Sequence, residues 1–502
     1  MNLRINPRRT VATLTAAAAV VTGVVLTGGA ASSTPGVDHP AETPTDHTGQ
    51  AYPVESSYTM KWTREDVQRI MSQHNDPTAG PGENSLSDQV SMPDIPSDFP
   101  AMKDENGDPV WVWDTWPMTD EHGNQYSYKG WDVIFSLTAD SKAGYTFDDR
   151  HVNARIGYWF RKKNRADDQW IYGGNVFGDR TPAHKAEWSG STRIYPDGTI
   201  KLFYTDLDFA DRNKPKAVIA MSEGRINADQ DGVSFHGLDE TTPLLEPDGV
   251  RYQNVEQNAY FNFRDPFTFE DPAQPGKTFM VFEGNTAGQK GDYQCQQSDL
   301  GDSGETPEDV TARGANHQMA NIGLAVAEND DLTEWRYLDP ILSANCVNDQ
   351  TERPQFVIEK VNGEWQYYLY TISHAFTYAA GLRGPDGVYG FVGDGIRSDF
   401  KPLNGSGLAL GNPSNLNYSP TDDRKNTRQY QSYSHYVMPD GLVESFIDNV
   451  DGRRGGTLAP TVRIDVEGTT SVVDRNVGDD GLLPYGFIPT NRSAGGPEVT
   501  TP

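Results

Sequence analysis

The sequence is short of positive charge, of cysteine and of long apolar segments. Its 42 lysines and arginines are outnumbered by 71 aspartates and glutamates, which gives a formal net charge of −29. Proteins that bind nucleic acid need a basic surface, so we expect no nucleic-acid partner. No segment beyond the N-terminal region approaches a membrane span, so no membrane contact is expected of the mature chain. The two cysteines have no neighbouring histidines, which argues against a structural zinc site.

The N-terminal 31 residues predict a signal peptide for secretion. The basic stretch "MNLRINPRRT" is followed by the apolar "VATLTAAAAVVTGVVLTGGA" and then by small residues. Arg8 and Arg9 leave a twin-arginine route open beside the ordinary one. An uncleaved membrane anchor is the alternative, because the apolar segment is almost long enough to span. In an exported, extracellular protein, Cys295 and Cys346 are predicted to form one disulfide.

The rest of the chain divides into a spacer, one large domain and a tail. Residues 32–54 are rich in Pro, Thr, Ser and His and predict a disordered spacer. Residues 55–490 form the predicted catalytic domain, and residues 491–502 a flexible tail. A short helix is predicted over Thr63–Gln73, because Thr63 can cap it and apolar residues recur at helical spacing. Elsewhere, 49 glycines, 33 prolines and 11% aromatic residues favour β-structure.

Repeated hairpins suggest how the strands are arranged. The turns are Pro-Asp-Gly or Asn-Gly in "STRIYPDGTIKLFYTD", "PQFVIEKVNGEWQYYLYT" and "SYSHYVMPDGLVESFID". Hairpins begin near Trp131, Ser191, Asp265, Pro354 and Ser432, and the spacing of roughly 60 to 90 residues fits four strands and a long loop. Five such units predict an all-β fold, a five-bladed β-propeller. An irregular two-sheet sandwich is the alternative.

Three stretches place a carboxylate among aromatic residues or beside a proline. They are "VWVWDTWP" with Asp114, "FRDP" with Asp265 and "NDQTERPQF" with Glu352. The innermost strands of a propeller line a central funnel, so acids on different blades would converge there. Two carboxylates flanking a glycosidic bond are the minimum for retaining glycosyl transfer. The alternative is structural, with Arg264 and Arg353 pairing with these acids and Asp-Pro marking a turn.

Longer blocks then indicate a family. The sequence resembles the levansucrase and inulosucrase family of bacterial fructosyltransferases, glycoside hydrolase family 68, from about Tyr58 to Ile488. The blocks that carry the resemblance are "VWDTWP", "EWSGSTRIYPDGTIKLFYTD", "FRDPFTFED", "TERPQF", "GPDGVYGFV" and "YSHYVMPDGLVESFID". The resemblance implies a five-bladed propeller with a central funnel-shaped active site.

The resemblance also implies roles for individual residues. Asp114 matches the nucleophile that attacks the fructosyl carbon of sucrose, Glu352 the general acid/base, and Asp265 the transition-state stabiliser. Other matched positions are expected to bind substrate, although each could instead be a core or loop residue. These are Trp113 and Trp188 as aromatic walls of the fructosyl subsite, Ser189 as a hydroxyl contact there, Arg264 as a substrate-binding position, Gln350 and His374 at the glucosyl unit or acceptor, and Tyr433 near the catalytic pair.

The sequence departs from many Gram-positive members in ways that bear on calcium. Those members carry Arg at the His374 position and Glu at the Gln350 position, with a structural calcium ion. The stretch "SANCVNDQTERPQ" instead resembles the branch with a disulfide and no calcium. Asp349 stays open as a ligand, whereas "NADQDGVSFHGL" fails as an EF-hand because Leu238 stands where Glu is needed. We therefore expect no required cofactor, and leave structural calcium open.

The resulting expectation is a secreted, monomeric sucrose fructosyltransferase of the levansucrase type. It would cleave sucrose, release glucose and transfer fructose to fructan, sucrose or water. A β-fructofuranosidase or an inulosucrase of the same family is the alternative. A propeller that only binds fructan is more remote, because binding alone does not require a nucleophile beside a proton donor.

Overall fold

A computed structural model describes residues 47–70, 86–163, 169–178, 184–211, 214–238, 240–412, 434–450 and 453–488. The predicted signal peptide, the predicted spacer up to residue 46, Tyr433 and the predicted tail lie outside these residues. Among the described helices, none has the length and apolar character needed to cross a membrane.

The described strands form five separate sheets. Blade one contains β2 (Val110–Pro117), β3 (Trp131–Asp140), β4 (Arg155–Lys162) and β5 (Ile171–Asn175). Blade two contains β6 (Lys185–Ile194), β7 (Thr199–Asp208), β8 (Lys216–Ala228), β9 (Val233–His236) and β10 (Thr242–Leu245). Blade three contains β11 (Phe263–Glu270), β12 (Thr278–Asn285), β13 (Met319–Ala327) and β14 (Trp335–Asn345), and is completed by β1 (Met60–Lys61).

The last two sheets are built in the same way. Blade four contains β15 (Glu352–Val361), β16 (Glu364–Ser373), β17 (Gly387–Gly393), β18 (Lys401–Pro402) and β19 (Leu408–Gly411). Blade five contains β20 (His435–Val437), β21 (Leu442–Val450), β22 (Arg453–Leu458), β23 (Val462–Glu467) and β24 (Thr470–Val473). The described helices are short: α1 (Arg64–Gln68), α2 (Gln297–Leu300) and α3 (Pro307–Ala312), with 3₁₀ turns at Phe147–Asn153, Ala315–His317 and Leu403–Gly405.

This arrangement confirms the predicted five-bladed propeller. In each blade the first strand lies at one edge of the sheet and pairs with the next strand along the chain. The hairpin predicted to begin near Trp131 is present as β3 and β4, but the blade starts one strand earlier, because β2 precedes β3 and pairs with it. The sequence did not reveal this because "VWVWDTWP" carries no turn signal linking it to the following hairpin. The correction places Asp114 on the first strand of its blade, as Asp265 and Glu352 are on theirs.

The turn chemistry predicted for the hairpins is present. Between β15 and β16, Asn362 and Gly363 both have positive φ, of 53° and 94°. Two successive positive φ values are the requirement of a type I′ turn, which matches the twist of the flanking strands. The Asn-Gly pair therefore sets the register of the first two strands of blade four.

The N-terminal segment is fastened to the outside of the propeller. Thr63 caps α1 with a reciprocal bond to Asp66, as predicted, although α1 ends at Gln68. The predicted disordered spacer is wrong for residues 47–54. His47 lies between two carboxylates, 3.4 Å from Asp66 and 3.0 Å from Asp399, and the backbone of Thr48 donates to Asp399 as well. The polar composition that suggested disorder supplies these contacts.

The predicted disulfide is also confirmed. Cys295 and Cys346 are bonded, with their Cα atoms 6.0 Å apart and a sequence separation of 51. The bond links the loop before α2 to the end of β14, within blade three. A loop of this length corresponds to on the order of 4 kcal/mol in the chain-entropy model.

The position of His47 predicts a pH-dependent contribution to stability. Burial lowers the pKa of His47, but hydrogen bonds to Asp399 and Asp66 outweigh burial and raise the pKa to about 9. The stabilisation is therefore complete below about pH 6.5, the unfolded value, and is lost as pH rises past 9. We expect His47→Ala to lower Tm clearly at pH 6 and little at pH 10. Thermal unfolding at both pH values checks this, with exposed His236→Ala as the control. An equal loss at both would refute the charged contact.

Candidate active site

Four of the five first strands share one irregularity where the candidate residues lie. In β2 the register shifts between Trp113 and Trp116, and in β6 between Trp188 and Gly190. The shift recurs in β11 between Arg264 and Phe267 and in β15 between Glu352 and Gln355. In each case the first strand carries one extra residue relative to its partner. Such a β-bulge bends the strand and redirects its side chains.

Left-handed backbone accompanies three of these bulges. Asp114, Asp265 and Arg353 have φ of 45°, 59° and 48°. Residues other than glycine are uncommon in this region, and they persist where surrounding contacts hold them. Proline follows both Asp265 and Arg353 and disfavours the right-handed helical conformation for the residue before it. In both strands the proline therefore narrows the backbone conformations open to the bulged residue.

The Asp114 carboxylate is held from one side. The hydroxyl of Ser189 on β6 donates to its Oδ2 at 3.0 Å. The other oxygen, Oδ1, is buried and has no hydrogen-bond partner among the described residues. A Cβ at Gly190 would lie 1.9 Å from the backbone oxygen of Phe203. Glycine is therefore required beside Ser189, and the bulge that presents Ser189 to Asp114 depends on it.

Arg264 connects three carboxylates. Its Nη2 donates to Glu352 Oε1 at 2.6 Å, and its Nε lies 2.6 Å from Glu283 Oε2 and 3.7 Å from Asp265 Oδ2. The sequence analysis did not identify Glu283. It lies in "TFMVFEGN", which reads as an ordinary buried strand, and only its register opposite Arg264 reveals its position.

The pKa of Asp265 is affected by the other two acids. Its side chain is buried, and it accepts a hydrogen bond from the backbone of Arg353 at 3.2 Å. Burial raises the pKa of Asp265 to about 7, with the charges of Glu352 and Asp114 adding to the rise and Arg264 opposing it. The three predicted acids therefore lie close enough to interact electrostatically, which is the convergence that the sequence predicted.

Arg353 joins the strands that carry these acids. Its Nη2 donates to the backbone oxygen of Thr115, next to Asp114, at 2.6 Å, and its Nη1 donates to Ser434. With its backbone N–H on Asp265, this one residue links β11, β15 and β2. The alternative of an Arg353–Glu352 ion pair does not occur, whereas the pairing of Arg264 with the acids does.

Aromatic rings and a histidine lie beside the acids. Trp188 is partly exposed, its indole N–H donates to the backbone oxygen of His151 at 2.8 Å, and Arg264 lies 5.6 Å from its ring. Trp113 is fully buried, with its ring 5.7 Å from that of His151. Burial keeps the pKa of His151 well below its usual value, so the imidazole is neutral. The sequence analysis missed His151 because it lies in a 3₁₀ turn without a recognisable motif.

His374 and Gln350 lie on the blade-four side of the site. His374 Nδ1 is 3.2 Å from Asp386 Oδ1. Burial lowers its pKa, but Asp386 and the charges of Glu352 and Asp114 outweigh burial and raise it. The Gln350 backbone oxygen accepts from Ser373 at 2.8 Å, and its side-chain Oε1 is buried without a partner in the described structure.

Asp349, which the sequence left open as a calcium ligand, has a cationic neighbour. Asp349 Oδ2 forms an ion pair with Lys290 at 3.2 Å, so an ammonium group is already next to the carboxylate. Within the described ranges, no group of three or more His, Cys, Asp or Glu side chains is placed to hold a metal.

The fold is a five-bladed propeller, and its site combines three interacting carboxylates, an arginine and indole rings. This combination is typical of enzymes that act on glycosidic bonds. A family model described as levansucrase/invertase, glycoside hydrolase family 68, matches residues 52–489. The chain therefore belongs to this family and is a glycoside hydrolase family 68 enzyme.

Three relatives illustrate the likeness. Levansucrase from Gluconacetobacter diazotrophicus is 52% identical over 90% of this chain and 81% of its own length, and its crystal structure superposes with a TM-score of 0.83 over 89% and 96% of the two chains. The catalytic domain of Microbacterium saccharophilum K-1 β-fructofuranosidase is 50% identical over 89% and 97%, with a TM-score of 0.82. An extracellular sucrase of Zymomonas mobilis is 40% identical over 86% and 95%.

The hydroxyl of Ser189 yields a prediction about Asp114. Ser189→Ala removes a hydrogen bond to a charged group, worth about 1.5–3 kcal/mol. We expect turnover of sucrose, the donor implied by the family resemblance, to fall about 10- to 100-fold. Initial rates of glucose release at saturating sucrose check this. Ser222→Ala is the matched control, since Ser222 is a buried serine of the same blade whose hydroxyl does not bond to Asp114. Equal rates in both variants would contradict the role.

Proposed function

We propose that the chain is a sucrose fructosyltransferase of the levansucrase type, acting by retaining double displacement. The observation that carries the proposal is the placement of Asp114, Asp265 and Glu352 at the bulges of first strands in three different blades, with Arg264 bound to Glu352. The donor is assigned from the names of the related enzymes, levansucrase and sucrase.

In the first half-reaction, Asp114 attacks the anomeric C2 of the fructosyl unit. Ser189 holds Oδ2, so Oδ1 is the oxygen available for the new bond. As the bond to C2 forms, the glycosidic bond breaks, and Glu352 gives its proton to the departing glucose oxygen. Asp265 is held by the backbone of Arg353 and stabilises the oxocarbenium-like fructosyl ring through its hydroxyls.

In the second half-reaction, an acceptor hydroxyl attacks C2 of the fructosyl-enzyme. Glu352, now ionised, takes the proton from that hydroxyl, and Asp114 leaves. Water and sugars compete for this step, and a sugar succeeds only when the site holds it in attack geometry. We assign that positioning to Gln350 and His374. Gln350 stands just before Glu352 in the sequence, and the charge of Glu352 helps to raise the pKa of His374, so both lie near the acid/base.

Hydrolysis as the main activity is the second candidate. It is favoured by the structural likeness to the Microbacterium β-fructofuranosidase. Both candidates use the same acids and differ in the acceptor, as does the inulosucrase alternative, which differs in the linkage made. Incubation with sucrose distinguishes them when glucose, free fructose and polymer linkage are measured together. A propeller that only binds fructan would release neither sugar.

The setting of the enzyme is also inferred. A basic and then apolar N-terminus and a relative named as extracellular support export of the chain. The proposed substrates are sucrose and fructan acceptors. A single chain supplies every proposed site residue, so we propose a monomer, and the reaction by carboxylates calls for no cofactor.

The catalytic pair gives a direct test. The carboxyl groups of Asp114 and Glu352 should lie about 5–5.5 Å apart, as retaining enzymes require. Asp114→Asn removes the nucleophile and Glu352→Gln the proton donor, so each should reduce sucrose turnover by at least about 10³-fold. Glucose release by the purified, folded variants checks this. Near-normal turnover in either variant would refute the role of that residue.

His374 gives a test of acceptor choice. We expect His374→Ala to lower the ratio of transfer to hydrolysis more than it lowers total sucrose cleavage, because the acceptor loses a contact while the fructosyl site stays intact. Free fructose reports hydrolysis, and the excess of glucose over fructose reports transfer. His184→Ala is the control, since His184 is half-exposed on the surface. An unchanged ratio with slower cleavage would assign His374 to fructosyl formation or to the fold.

A further inference from the structure

The bulge of β2 carries the proposed nucleophile, and blade one alone does not hold it. The register of β2 on β3 breaks between Trp113 and Trp116, so Asp114 and Thr115 have no Cα partner on β3. Asp114 also has a φ of 45°. Backbone in this conformation persists only where the surrounding structure determines it. The contacts that fix the nucleophile therefore have to come from neighbouring blades.

Thr115, the residue after the nucleophile, is fixed at two points by blades four and five. Its backbone oxygen accepts a hydrogen bond from Arg353 Nη2 of β15 at 2.6 Å. Its hydroxyl donates to Glu444 Oε2 of β21 at 2.8 Å, and Thr115 and Glu444 are both fully buried. The bulge is thus bound through its main chain to one blade and through a side chain to another.

The bond between Thr115 and Glu444 crosses the boundary at which the ring of blades closes. β2 belongs to blade one and β21 to blade five, the first and the last of the propeller. An ion pair of 3.0 Å between Arg150 and Asp448 crosses the same boundary. In the described part of the chain the N-terminal strand β1 is added to blade three, so side-chain contacts rather than a shared strand join blades one and five here. The nucleophile therefore lies beside the closure of the ring.

Glu444 suits this role as a neutral acid. Its Oε1 is buried and has no hydrogen-bond partner among the described residues. Burial raises the pKa of Glu444 to about 8, although the bond from Thr115 and the charge of Arg353 oppose the rise. At pH 6 the carboxyl group is therefore protonated, which costs less in a buried place than an ion does. Glutamine, which is also neutral, is then a close substitute for it.

We propose that Glu444 is a positioning residue: through the Thr115 hydroxyl it holds the bulge of β2 and so fixes the backbone that carries Asp114. The proposal rests on the proposed function, in which Asp114 attacks C2 of the fructosyl unit. Ser189 orients the Asp114 carboxylate from blade two, whereas Glu444 acts one residue further along the main chain. A misplacement of about 1 Å in a reacting group costs on the order of 100-fold in rate, so a bond that prevents it serves turnover.

Thr115→Val tests this proposal. The substitution keeps the shape of the side chain and removes the hydroxyl. We expect kcat and kcat/KM for glucose release from sucrose at pH 6 to fall together by about 10-fold or more, because the lost contact serves the transition state rather than sucrose binding. Thr115→Ser retains a hydroxyl and Glu444→Gln retains an acceptor oxygen, so each should keep most of the turnover.

A second substitution separates this bond from general effects on packing. Glu444→Met removes the acceptor and should lower turnover as Thr115→Val does. The double variant should lose no more than either single variant, because the two residues act through one bond. Thr457→Val is the matched control, since Thr457 is a buried threonine of β22 whose hydroxyl has no partner among the described residues. It should leave kcat in place.

Turnover is measured per folded enzyme, with Tm recorded for each variant. A wild-type kcat in Thr115→Val, with only Tm lowered, overturns the proposal and leaves Glu444 a structural residue. Losses in the two single variants that add in the double variant overturn it too. If Glu444→Met fails to fold, the comparison of Thr115→Val with Thr115→Ser decides. Failure of the proposed function is distinct, since Asp114→Asn would then keep its activity.

Discussion

The site depends on one constraint, which is that charged side chains must emerge from the most buried strands of the fold. A regular strand alternates its side chains between two faces and cannot aim a carboxylate at a chosen point. One extra residue in each of β2, β6, β11 and β15 removes that restriction. The left-handed backbone at Asp114, Asp265 and Arg353 is strained. The Arg353 N–H donates to Asp265 across two strands, and proline follows Asp265 and Arg353 but not Asp114. Geometry of this kind is prepared before substrate arrives, which is what electrostatic stabilisation of a transition state requires.

The second organising feature is the scarcity of cations among many buried acids. Arg264 directly precedes Asp265 and Arg353 directly follows Glu352, but the two arginines serve different purposes. Arg353 uses its guanidinium to join strands and its backbone N–H to hold Asp265. Arg264 instead places its guanidinium within ion-pair distance of three carboxylates. Replacing Arg353 by lysine would therefore disturb the relative placement of the strands. Replacing Arg264 by lysine would disturb the ionisation of the acids.

The sequence predicted much of this structure, and the exceptions have physical causes. Turn residues such as Asn362 and Gly363 act locally, so the hairpins and their count were readable. The acids Asp114, Asp265 and Glu352 were readable because a charge among aromatic residues or before a proline is unusual on a strand. Glu283 was not, because its partner is set by the register of two strands. His47 was assigned to a disordered spacer because its partners, Asp66 and Asp399, are distant in sequence.

The fastening of the N-terminal segment has a consequence for the order of folding. His47 binds Asp399, 352 residues away, and β1 pairs with β14 in blade three. A chain made from its N-terminus exposes this segment first, yet the surface that receives it is completed only when blades three and four exist. Contacts of such long range form late and slowly. This segment, at the start of the described part of the chain, is therefore expected to dock only after blades three and four have formed.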